Sequence, residues 1–292
     1  MTRNGSTAIG FIAVLLWATL ALFTAASGQV PPFQLAALSF AIGGGLGVFT
    51  WVFRPSGIRS LKQPGAVWVL GVVGLFGYHF AYFTALRNAP PVEAGLIAYL
   101  WPLLIVLFSA LLPGERLRWF HVVGALLGLF GAVLIVTNGG QVQFRSEYSF
   151  GYAMALVCAL TWSGYSVLSR RFASVPTDVV IGYCLVSAVL AGIAHLWLED
   201  TVWPATRTEW MATVGLGLGP VGLAFYCWDH GVKHGDIQIL GAGSYSAPLL
   251  STLLLLLAGY AEFTWAIALA CLLITVGALI AARDMIIKST RV

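Results

Sequence analysis

Charged side chains are scarce in this sequence. Asp, Glu, Lys and Arg make up 9% of its 292 residues, where a soluble domain carries about 25%. Such a chain cannot cover a globule with water-facing groups. Cysteine is sparse too. Cys158, Cys184, Cys227 and Cys271 all fall in apolar runs, and none pairs as CxxC. That spacing excludes a dithiol redox site and a thiolate metal site, and leaves the cysteines as small packing residues. No HExxH or GxSxG occurs, so no catalytic residue, metal or cofactor is expected. Basic residues form no block, which argues against a nucleic-acid partner. No small-residue cleavage site follows the first apolar run, which therefore reads as a retained helix.

What remains is apolar. Hydrophobic residues make up 59% of the chain, and its mean hydropathy is +0.90. This is the composition of a multi-pass membrane protein, with lipid as its surroundings. About 20 apolar residues cross a hydrocarbon core, and ten runs qualify: Ala8–Ala25, Phe33–Phe53, Ala66–Leu86, Val92–Leu112, Trp119–Val136, Phe150–Leu168, Val179–Leu198, Trp210–Trp228, Ile237–Ala258 and Trp265–Ala282. They are too long and too uniform for barrel strands, which alternate over about ten residues. The expected fold class is all-α, with ten transmembrane helices.

The sparse charges orient these helices. With the N-terminus cytoplasmic, the inner loops hold Arg3, Arg54, Arg59, Lys62, Arg116, Arg118, Arg170, Arg171, Lys233, Arg283, Lys288 and Arg291. The outer loops hold only Arg87, Arg145 and Arg207 as cations, beside Glu147, Glu199, Asp200, Glu209 and Glu262. The positive-inside bias puts both termini in the cytoplasm.

The chain also repeats. A shift of 146 residues pairs Pro102 with Pro248, Trp119 with Trp265, Gly131 with Gly277, Gly74 with Pro220 and Tyr82 with Trp228. Five spans in each half, 1–146 and 147–292, force the second half to enter the membrane upside down. Inverted repeats with interrupted helices at matching places point to a secondary transporter with its site near the midplane. Pro102, Pro248 and Pro220 are the expected hinges, because proline removes a backbone donor and clashes with the turn before it.

Candidate site residues follow from polar and aromatic groups deep in these runs. Tyr78, His79 and Tyr82 share a helix face, and an ionisable intramembrane residue marks a functional site by default. Tyr99 and Trp101 lie just before Pro102. Trp17 and Trp162 sit inside their spans, away from the interfacial belts where tryptophan gathers. Ser244 mirrors this region ahead of Pro248. No Asp, Glu, Arg or Lys is expected at mid-helix, so permissive recognition of a zwitterion or neutral amphiphile is expected.

Two motifs carry a family resemblance. Ala85-Leu86-Arg87-Asn88-Ala89-Pro90-Pro91-Val92-Glu93-Ala94 leads into the fourth run, and a Glu-containing loop precedes each closing glycine-rich span, at Gly114-Glu115-Arg116-Leu117 and Ala261-Glu262-Phe263. With Trp17-Ala18 in the first run, these resemble the EamA-type branch of the drug/metabolite transporter superfamily over nearly the whole chain. The second half departs from the signature, reading Gly231-Val232-Lys233-His234-Gly235-Asp236. Within the family, Tyr78-His79-Phe80 and Tyr99-Leu100-Trp101-Pro102 most resemble the aromatic amino-acid exporters. The resemblance implies export of Phe, Tyr, Trp and similar small molecules from a bacterial inner membrane by a single chain. Another substrate of the superfamily, such as a purine or a cationic drug, with or without proton coupling, is the alternative. An intramembrane enzyme or a channel would need a constellation or filter motif that is not legible.

Overall fold

The computed structural model describes residues 1–257, 259 and 262–284. Ala258, Ala261, Lys288 and Arg291, used in the sequence reading, lie outside the described residues. Among the described residues every regular element is helical. The long segments are α1 Arg3–Ala26, α2 Pro32–Trp51, α3 Gly65–Asn88, α4 Pro91–Leu111, α5 Trp119–Thr137, α6 Ser146–Phe172, α7 Val179–Leu198, α8 Arg207–His234, α9 Ile237–Leu257 and α10 Trp265–Ala281. By length and composition, α1 to α9 suffice to cross a membrane; α10, at 17 residues, is shorter.

Local chemistry sets the ends. Thr2 caps α1 by accepting from the Gly5 N–H, so the helix starts at Arg3, ahead of its apolar run. Thr206 does the same for Glu209 in α8. Prolines open α2 and α4, where the missing N–H costs nothing and the fixed φ suits a first turn. The largest departure from the sequence reading is at the other end of α8. That helix continues past Trp228 to His234, with Gly235 as its C-cap. Hydropathy falls there, but Asp229 and Lys233 neutralise one another one turn apart, and the helix carries on.

Interruptions recur at the 146-residue spacing. A π-turn at Val73–Gly77 in α3 has its counterpart at Gly219–Leu223 in α8, and the helical pieces that follow are Tyr78–Asn88 and Ala224–His234. Pro220 lacks the N–H that an α-turn needs, and the wider turn absorbs the loss. α4 breaks between Ala98 and Trp101, and α9 between Gly243 and Ser246. At the α4 break the Tyr245 hydroxyl enters the backbone ladder. It donates to the Tyr99 carbonyl at 3.1 Å and accepts from the Leu103 N–H at 3.2 Å. A side chain inserted in this way is one of the established causes of a kink.

Packing crosses between the halves. α1 lies on α8, α3 on α6, α2 on α7 and α5 on α10. α5 and α10 touch through backbone: a Cβ on Gly277 would stand 2.6 Å from the Gly124 carbonyl oxygen. α1 and α8 meet likewise at Gly10 and Gly231. Small residues permit this approach where lipid supplies no hydrophobic drive between helices.

Ion pairs identify the two ends of the bundle. At one end, Arg3 of α1 meets Glu115 at 3.0 Å and Asp236 at 3.0 Å, and Arg170 of α6 meets Glu115 at 2.6 Å. Arg170 also donates to the Val232 and Gly235 carbonyls at the end of α8. At the opposite end Glu199 accepts from Arg87 of α3, from His195 and from the first N–H groups of α2. A carboxylate at a helix N-terminus meets unsatisfied donors there. The Glu199 side chain is therefore enclosed, 2% exposed, and is no free loop charge.

Candidate functional site

The middle of the bundle is a mass of rings. The Trp17 ring from α1 lies 6.1 Å from Trp101 of α4, 5.6 Å from Trp162 of α6, and 5.0 Å from Trp228 of α8. Trp162 also meets Tyr78 at 5.3 Å and Phe225 at 5.7 Å, and stacks over Trp228. His79 packs edge-on to Phe40 at 5.0 Å and to Phe225 at 6.1 Å. Tyr78 and Tyr82 stack along one face of α3. Four helices, α1, α3, α4 and α6, thus contribute the expected residues Trp17, Tyr78, His79, Tyr82, Trp101 and Trp162 to one cluster, and α2 and α8 add Phe40, Phe225 and Trp228.

Exposure grades across this cluster. Trp228 is 0% and Trp162 3% exposed. Trp17, Tyr78, His79, Tyr82 and Phe83 are each half-buried. Rings flanked by other helices yet half-exposed face open space between the helices. The cluster therefore has a closed floor at Trp162 and Trp228 and an open side at Tyr82 and Phe83.

Hydrogen bonds fix the polar groups. His79 Nδ1 is 2.7 Å from the Leu75 carbonyl. A carbonyl only accepts, so in the neutral ring Nδ1 carries the proton and Nε2 offers a lone pair. His79 then suits an ammonium better than the carboxylate that the sequence alone would also allow. The Trp17 indole donates to the Pro220 carbonyl at 3.1 Å, in the π-turn of α8. Freed backbone groups inside a membrane need such partners. Trp228 donates to Ser166 Oγ at 3.0 Å.

Two expected residues make no ring–ring contact with the cluster among the described residues. The Ser244 hydroxyl is buried and donates to its own helix at the Leu240 carbonyl. The Tyr99 ring has no aromatic partner among the described residues, and its carbonyl serves the α4 break. Pro102 and Pro248 are buried beside the two breaks, and Pro220 lies in the π-turn.

The sequence reading missed Phe40, Phe225 and Trp228. The repeat held the signal for two of them, since Phe225 and Trp228 lie 146 residues after His79 and Tyr82. It also excluded charge from the helix interior, and the structure corrects that. Lys233 is no loop residue: its ammonium sits 2.8 Å from Asp229, and the two side chains are 3% and 1% exposed. Helix continuation past the hydropathy minimum explains the error.

Apolar helices around an aromatic hollow that is floored at one side define a multi-pass membrane transporter. The chain belongs to the EamA-like transporter family, whose model matches residues 6–137 and again 149–283. It is 57% identical over 282 residues to the aromatic amino acid exporter YddG of Ancylobacter novellus, covering 96% of this chain and 98% of that one. The exporter of the same name from Escherichia coli is 27% identical over 269 residues, covering 87% and 88%. A solved crystal structure at 57% identity superposes with a TM-score of 0.91, covering 96% of this chain and 98% of its own.

Proposed function

We propose that this chain exports aromatic amino acids and similar small amphiphiles across a bacterial inner membrane by alternating access. The observation that carries the reading is the ring cluster built by Trp17, Tyr78, His79, Tyr82, Trp101 and Trp162, open on one side. A substrate ring entering it gains about 0.5–1.5 kcal/mol per aromatic partner beyond burial. Its ammonium finds the His79 lone pair and the tryptophan faces. Close similarity to relatives named as aromatic amino acid exporters supports the same substrate class.

The reading includes ten spans, with α10 as the last, arranged as two inverted halves, 1–146 and 147–292. It puts both termini in the cytoplasm. Support comes from the basic residues Arg3, Arg170 and Arg171 at one end of the bundle, and from the recurrence of π-turns and breaks at a fixed spacing. One chain supplies every ring of the cluster, so a single chain suffices. Ser244 enters the site, in this reading, only in states where α9 has moved about Pro248.

The test is efflux from cells with and without the protein, across a panel of amino acids. Faster loss of Phe, Tyr and Trp than of Leu or Lys is expected. Equal rates for all five would reject the substrate assignment.

A further inference from the structure

Beneath the aromatic floor lies a second, polar layer. Tyr165 joins the two: its ring is 5.3 Å from Trp162, and its hydroxyl is 3.5 Å from Asp229 Oδ1. Asp229 follows Trp228 directly in the chain. Its other oxygen takes the Lys233 ammonium at 2.8 Å and the Thr177 hydroxyl at 2.9 Å, and Lys233 also donates to the Val175 carbonyl at 3.1 Å. One turn further on, Arg170 clasps the end of α8 and meets Glu115. The order from the centre to the termini end is thus rings, a buried ion pair, then an arginine–carboxylate clasp.

Three features set the ion pair apart. Burying two charges costs several kcal/mol per ion, and well-packed apolar residues often serve stability as well or better. It lies between the ring cluster and the Arg170–Glu115 clasp, tied to α6 through Tyr165 and to the turn before α7 through Thr177 and Val175. And it has an unequal counterpart. Arg87 lies 146 residues before Lys233, at the matching end of α3, and its side chain is 39% exposed against 3%. Of the two equivalent cations, Arg87 meets solvent and Lys233 is enclosed.

We infer that Asp229 and Lys233 form the headgroup station of the transport path, taking the substrate's ammonium and carboxylate respectively when the termini end opens. This rests on the export reading above. An α-amino acid carries its two opposite charges one carbon apart, and the pair presents the complementary two charges 2.8 Å apart. The side chains hold each other while the end is closed. When it opens, the zwitterion replaces each partner by a group of the same sign, so neither buried charge is left alone. Trp228 and Trp162 then receive the ring one turn further in.

The test uses inverted membrane vesicles, where the termini end faces the medium. Uptake of labelled L-phenylalanine is competed by unlabelled L-phenylalanine, 2-phenylethylamine and 3-phenylpropionate, which share the ring but lack neither, one or the other charge. The native protein should prefer L-phenylalanine to each analogue by at least ~10-fold, the scale of one charged hydrogen bond. K233Q should abolish the preference over 2-phenylethylamine alone, and D229N that over 3-phenylpropionate alone. D229N/K233Q leaves no orphan charge and is the variant that keeps its fold; it should treat the three ligands alike. Native preference ratios retained in D229N/K233Q, whatever its absolute rate, would overturn the inference, since a purely structural pair scales all three ligands together. So would a native protein indifferent to the three. A native protein that takes up no L-phenylalanine fails the export reading instead, before any variant is compared.

Discussion

His79 shows how one hydrogen bond decides what a side chain can recognise. With Nδ1 committed to the Leu75 carbonyl, the ring is held against Phe40 and Phe225 and keeps a single acceptor, Nε2. Replacing it by alanine removes the acceptor and part of the wall. His79→Ala should raise the half-saturation concentration for phenylalanine by about tenfold in vesicle exchange, and His79→Gln, which keeps an acceptor, should recover part of it. An unchanged value in His79→Ala would place the substrate elsewhere. His79 was legible in the sequence because an ionisable group in a long apolar run has little other reason to be there. Asp229 and Lys233 were not. They sit where hydropathy falls, and a window average cannot separate a helix that carries a neutralised pair from a loop. Phe225 and Phe40 were hidden for the opposite reason, as phenylalanines among many apolar residues.

At the scale of the helix, the breaks depend on specific substituents. Tyr245 bridges the Tyr99 carbonyl and the Leu103 N–H across the α4 interruption. Tyr245→Phe would leave both backbone groups without a partner at a cost of about 1–3 kcal/mol. The unfolding midpoint in detergent should fall by several degrees, about 2–4 °C for each kcal/mol in a chain of this size; an unchanged midpoint would mean that water fills the gap. The α5–α10 seam is less forgiving. A side chain at Gly277 meets the Gly124 carbonyl and the Leu127 side chain at once. Gly277→Val should therefore cost about 1–3 kcal/mol by overpacking, measured the same way, whereas Gly45→Ala, with nothing within 4 Å, should leave the midpoint unchanged. Proline spacing foretold the break positions. The inserted hydroxyl could not be foretold, because it comes from another helix in the other half.

For the whole molecule, the fixed spacing of π-turns, breaks and terminal helical pieces was readable as paired prolines and glycines: Pro102 and Pro248 follow the breaks in the two halves, and Gly74 stands where the second half has Pro220. Which of the two equivalent cations is enclosed was not, because Arg87 and Lys233 both sit where hydropathy falls and differ in how they are packed. That difference carries a consequence. Arg87 is wet and Lys233 is dry, while their positions are equivalent. A cycle that opens one end and closes the other dehydrates one cation as it hydrates its twin. The two works act as counterweights, so the halfway seesaw needs little outside fuel, and net direction falls to whichever compartment holds more solute. Reconstituted protein should then equilibrate phenylalanine equally with or without a pH gradient; steep uphill accumulation under that gradient would show that protons drive the tilt.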